Sequence, residues 1–184
     1  MTFGKSNMSI PDKVNNSLKY YFKGEISDSL EQCMIAADAS ARKMYKTLNN
    51  KERMEKFFFE YMEIITGVGI RMIVAKNLKL GHGQNETETL ESILYKYIRC
   101  NLLHEAEISD KITFSENTFG CADEKFTFPK TLPVGICFAV IACPNNFSLW
   151  IRNPVGFNYL GKNINLNLLW GKTETIKKSF GISI

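Results

Sequence analysis

The chain has 184 residues, of which 45% are hydrophobic and 23% charged, values that suit one packed domain and exclude wholesale disorder. The formal net charge is +4, which permits contact with nucleic acid without supplying the dense basic stripe of a dedicated binder. Five cysteines (Cys33, Cys100, Cys121, Cys137 and Cys143) form no CxxC pair, so a disulfide framework and a structural zinc site lack support and reduced thiols in a cytoplasm fit better.

Met1 to Lys23 is mixed and polar, with no signal-peptide pattern. From Ser27 to Leu48 the apolar residues Leu30, Met34, Ala37, Ala41, Met44 and Leu48 recur at spacings of four and three, which predicts an amphipathic helix with Ser27 as N-cap. After a turn at Asn49-Asn50, a second helix is expected from about Lys51 to about Asn77. Met54, Phe57, Phe58, Tyr61, Ile65, Val68 and Met72 mark its buried side. Gly67 and Gly69 weaken or bend it, or let another helix approach closely. Gly81 to Asn85 reads as a loop, and Asn85 with Glu88 as a capping box opening a third long helix that runs to about Glu107.

After Ser109 the texture changes. Lys111 to Phe114 and Lys125 to Phe128 read as short strands of a hairpin around Gly120. Pro133 then opens an apolar helix, Val134 to Cys143, that ends before Pro144. The apolar run Leu132 to Cys143 is too short to span a bilayer. Asn163 to Leu168 alternates Asn with Ile or Leu, the pattern of a half-exposed strand, and Trp170 to Lys178 forms a last short helix. The expectation is a mainly α fold in one domain: a helical core over residues 27–108 and a small α+β annex over 109–184.

Only two histidines are present, His82 and His104, so any histidine acid–base chemistry must use one of them. His82 lies between glycines and reads first as a solvated turn residue. His104 lies on the third helix, five residues after Arg99. At about 100° per residue, five residues turn an α-helix by about 140° net and advance about 7.5 Å. With Leu90, Ile93, Leu94, Tyr97 and Ile98 setting the core arc, Arg99 lies nearly opposite it, His104 at its edge, and Asn101 towards it. Lys96, Cys100, Leu103 and Glu107 fall between Arg99 and His104 on a second, partly apolar face that calls for a second partner. An arginine fork that matches phosphate oxygens, beside an imidazole that exchanges protons, suits phosphodiester cleavage in RNA, where the 2′-hydroxyl is the nucleophile. A surface cation and a hydrogen-bonded edge histidine explain the same pair without chemistry.

Other candidates read more plainly. Cys100 beside Arg99 is a nucleophile only if its thiol pKa is lowered; otherwise it is a small packing residue. Gly67-Val68-Gly69 lacks the ending of a phosphate loop. Lys76, Lys79, Lys96 and Arg99 make either a weak basic rim, with Tyr95 or Tyr97 stacking a base, or a solvated surface. Trp150 and Trp170 read as core anchors. Lys177-Lys178 is too short for a nucleic-acid patch.

The segment Tyr95-Lys96-Tyr97-Ile98-Arg99-Cys100-Asn101-Leu102-Leu103-His104-Glu105 resembles the signature of the HEPN superfamily, an Arg followed after four to six residues by His late in a long helix of a bundle. The resemblance covers roughly residues 27–108 and, more loosely, the apolar helix near Pro133. It implies a HEPN-like antiparallel helical bundle and a metal-independent endoribonuclease without cofactor. Arg99 and His104 would be catalytic, and Lys96, Cys100, Asn101 and Glu105 would bind substrate or support the motif. It also implies a homodimer through the motif helix, with Cys100 and Leu103 near the two-fold contact, RNA as substrate, and an antitoxin or nucleotidyltransferase as a further partner. Active members commonly carry a polar residue directly after the arginine; here that position is Cys100, and Asn101 comes one later. The alternative within the same resemblance is a non-catalytic module that binds a partner protein or a nucleotide.

Overall fold

A computed structural model describes residues 9–82, 86–159 and 161–182. It opens with a helix that the composition of the N-terminus conceals. α1 (Ile10–Lys23) starts at a capping box, with the Ser9 side chain accepting from the Asp12 backbone and the Asp12 carboxylate from that of Ser9, and Pro11 in its first turn. Ile10, Val14 and Leu18 are buried at intervals of four, and Gly24 ends the helix at φ 80°. α2 (Ile26–Met44) returns against it. Paired serines lock the crossing: Ser17 Oγ donates to the Ser29 carbonyl at 2.8 Å and Ser29 Oγ to the Ser17 carbonyl at 2.8 Å.

The second expected helix is present but shorter and segmented. α3 (Asn50–Glu60), capped by Asn49, gives way at Tyr61 to the short α4 (Met62–Ile64) and then to a π-helical stretch, Ile65–Ile70. It stops at Arg71, which takes φ 65°, so Met72 lies outside it and is 55% exposed rather than buried. The glycines here serve close approach. Gly69 packs on Gly135 of α7 (Leu132–Ala142), and a Cβ on Gly135 would lie 2.5 Å from the Ile65 carbonyl oxygen. α7 is apolar on every side, and each of its residues is buried; α1, α2 and the π stretch surround it. The second half of the sequence therefore supplies the centre of the helical core.

The segment around His82 forms a hairpin, β1 (Lys79–His82) against β2 (Glu86–Thr89), antiparallel with Lys79 opposite Thr89. The expected capping-box residue Asn85 lies outside the described residues. The helix begins later, at Leu90, with the Thr89 side chain accepting from the Ser92 backbone. It runs as α5 (Leu90–Ile93), a π-helical stretch Leu94–Cys100, and α6 (Asn101–His104).

β3 (Ile112–Ser115) and β5 (Lys125–Pro129) do not form the expected hairpin. They pair in parallel, and β4 (Gly120–Ala122) lies antiparallel on the far side of β5. The tight turn is instead at Asp123-Glu124, both with positive φ. β6 (Phe157–Tyr159) pairs with β7 (Lys162–Ile164). The expected strand at 163–168 thus ends early and becomes a 3-10 turn, Leu166–Leu168. α8 (Thr173–Phe180) is the last helix. Lys177 Nζ donates to Glu63 at 2.6 Å, tying α8 to α4. The fold is mainly helical with small sheets, and no described helix is long and apolar enough to cross a membrane.

Candidate functional site

The motif helix departs from the α-helical wheel where it matters. At 3.6 residues per turn, Arg99 would point about 140° away from Leu94. Leu94–Cys100 is π-helical, and i→i+5 bonding stacks residue 99 one turn beyond residue 94. Arg99 consequently shares the core side with Leu94 and is 6% exposed, where the wheel puts it opposite. Asn101 moves the other way. It is half-buried, and its amide donates outward to Glu105 Oε2 at 3.5 Å.

Arg99 meets Asp38, a buried carboxylate of α2. Arg99 Nη2 lies 3.6 Å from Asp38 Oδ2. The same carboxylate takes Arg42 Nη2 on Oδ2 at 2.5 Å and Arg53 Nη2, from α3, on Oδ1 at 3.4 Å. Arg42 is a rim group whose side chain is 60% exposed, whereas the Arg53 side chain is 12% exposed. Two almost buried guanidiniums therefore share one carboxylate, and the carboxylate's shortest bond goes to a third. Neither Nε–H finds an acceptor: Arg53 Nε and Arg99 Nε are both buried and unpaired. Among the described residues Arg99 makes no hydrogen bond; its guanidinium carbon lies 5.6 Å from the centre of the Tyr95 ring. Burial, and then the nearby Cys100 thiol, raise the Tyr95 phenol above its usual range.

The other expected residues separate from this cluster. His104 and Glu105 are exposed at the end of α6, and Cys100 is half-buried beside Tyr95. The Leu103 side chain is outside the described residues. Lys96 is exposed, with its ammonium 4.6 Å from the Tyr97 ring centre and 3.8 Å from Glu88. The contact with Tyr97 raises its pKa most, and Glu88 adds to the shift. Tyr97 cannot serve as a base platform: it is 7% exposed and packs on Phe126. Lys76 is committed to Glu63 at 3.6 Å. Trp170 is a core anchor, but Trp150 is 63% exposed; it precedes Ile151, whose backbone is held by the Asn167 side chain, so the anchoring falls to its neighbour. Among the described residues no group of His, Cys, Asp and Glu could hold a metal ion.

The structure thus brings Arg99 together with Asp38, Arg53 and Tyr95, and leaves His104, Asn101 and Glu105 on the surface end of the helix. Asp38 and Arg53 are absent from the sequence reading. The signal for Asp38 was available: it stands four residues after Met34, inside the apolar stripe of its helix, and a carboxylate placed there requires a buried cation.

The chain belongs to the Rv1289 family, whose model matches residues 9–183. No curated protein and no solved structure matches it.

Proposed function

We propose that the chain is a metal-independent endoribonuclease of HEPN-like type, in which Arg99 binds the scissile phosphate and His104 moves a proton. The observation that carries this reading is the state of Arg99: a guanidinium 6% exposed, steered by Asp38 and left with unfilled donors. A buried cation without a full set of acceptors is costly, and a phosphate oxygen is the acceptor its planar fork matches best.

The chemistry needs no group beyond RNA and side chains. The 2′-oxygen bonds to phosphorus and the bond to the 5′-oxygen breaks. The proton lost from the 2′-hydroxyl is balanced by one delivered to the leaving oxygen, so the products are a 2′,3′-cyclic phosphate and a 5′-hydroxyl. Arg99 faces inward while His104 is exposed at the end of α6, so the working site in this reading is composite, with the motif helices of two copies facing one another.

The test is incubation of the full chain with single-stranded RNA in EDTA, followed by analysis of the new ends. Cyclic-phosphate ends that vanish in Arg99→Lys, which keeps charge but loses the fork, are the expected result. A second reading, a non-catalytic module that binds a partner protein or nucleotide, draws on the same separation of Arg99 from His104. It gains if folded, dimeric protein cuts no RNA.

A further inference from the structure

We propose that Arg53 and Arg99 together hold one phosphate group, with Asp38 as the counter-ion that positions both. As a substrate site this rests on the ribonuclease reading; as a phosphate site it rests on two guanidiniums meeting at one carboxylate with donors left unfilled. Each guanidinium offers five donors. Among the described residues the hydrogen bonds from this pair amount to Arg53 Nη2 to Asp38 Oδ1 at 3.4 Å, while Arg99 Nη2 stands off at 3.6 Å. Both Nε–H groups are buried and unfilled. Asp38 neutralises one positive charge, and its Oδ2 already accepts from the exposed Arg42 at 2.5 Å. The buried pair therefore carries one positive charge more than the Asp38 carboxylate cancels, together with a surplus of donors. A singly charged phosphodiester, or a free phosphate ion, supplies both the charge and the acceptors. The Tyr95 ring centre lies 5.6 Å from the Arg99 guanidinium carbon.

Arg53 is distinct from the Arg99–His104 pair in sequence and comes from α3, so its role can be tested by itself. The experiment measures binding of inorganic phosphate by calorimetry and of a single-stranded RNA by fluorescence anisotropy, at constant ionic strength. It compares the wild-type chain with Arg53→Met, Arg53→Lys and Arg42→Met. Expected are phosphate binding that chloride does not reproduce, a loss of roughly tenfold or more in both phosphate and RNA affinity for Arg53→Met, partial retention in Arg53→Lys, and no change in Arg42→Met. Should Arg53→Met fail to fold, Arg53→Lys alone decides, because it keeps the charge and removes the fork. Phosphate binding equal to that of chloride, or unchanged in both Arg53 variants, overturns the proposal. If phosphate binds through Arg53 while the wild-type chain cuts no RNA, the phosphate site stands and the ribonuclease reading fails.

Discussion

Asp38 is the residue on which the candidate site turns. It is buried and faces the guanidiniums of Arg42, Arg53 and Arg99. Removing its charge strands two almost buried cations, so Asp38→Asn is expected to cost about 3–5 kcal/mol in chemical denaturation. Arg42→Ala removes a partner that is 60% exposed, and a change within about 0.5 kcal/mol is expected from the same measurement. Equal costs for the two variants would mean that the exposed pair, not the buried one, holds the cluster. Of the residues gathered at Asp38, the sequence reading names Arg99 and Tyr95 but neither Asp38 nor Arg53. Arg99 and His104 stand out because histidines are scarce and the spacing is distinctive. Arg53 does not, since an arginine next to Met54 on an amphipathic helix looks like any boundary residue until the partner carboxylate is placed in space.

α2 is legible from its regular apolar spacing, and α7 from its unbroken apolar run and the proline near its start. What failed was the assumption of a single helical pitch. Two π stretches, Ile65–Ile70 and Leu94–Cys100, rotate everything after them, and nothing in the residue types of the second marks it. That single change of pitch turned Arg99 inward and Asn101 outward. α1 is hard to see in the sequence because its buried positions, Ile10, Val14 and Leu18, stand among polar residues, although Ser9, Pro11 and Asp12 carry the start signal. Of the two uses left open for Gly67 and Gly69, close approach of another helix holds for Gly69, and it yields a prediction. Gly135→Ala sets a methyl 2.5 Å from the Ile65 carbonyl oxygen, against backbone that cannot swing aside. A loss of about 1–3 kcal/mol is expected from thermal or chemical unfolding, and an unchanged midpoint would show that α7 and the π stretch are not in close register.

Across the whole molecule, long-range pairing was the least legible feature. β3 and β5 look like a hairpin by proximity in sequence, yet the tight turn at Asp123-Glu124 pairs β4 with β5, and β3 runs parallel on the other side of β5. The clamp between α4 and α8 is of the same kind: Glu63 of α4 accepts from Lys177 of α8 and lies 3.6 Å from Lys76. The Lys177 hydrogen bond chiefly holds the Glu63 carboxyl below its usual range, with Lys76 adding to the effect. A carboxylate whose folded pKa is depressed stabilises the fold above its unfolded value of about 4.3 and loses that contribution as pH falls through the folded value. Glu63→Gln should therefore be about 1–3 kcal/mol less stable than wild type at neutral pH, and the two stability curves should converge as pH drops below about 4. Parallel curves over that range would remove the clamp from the account.

Ribonuclease activity of the proposed kind needs an inward arginine, a wider helical pitch and two copies of the chain. His104 is exposed, so its truncation leaves the core untouched, and the most direct measurement is the rate of single-stranded RNA cleavage in EDTA by wild type and by His104→Ala. The account predicts cutting by the wild-type chain and a loss of about 10²–10⁴-fold in the folded variant; equal rates in the two proteins would contradict it.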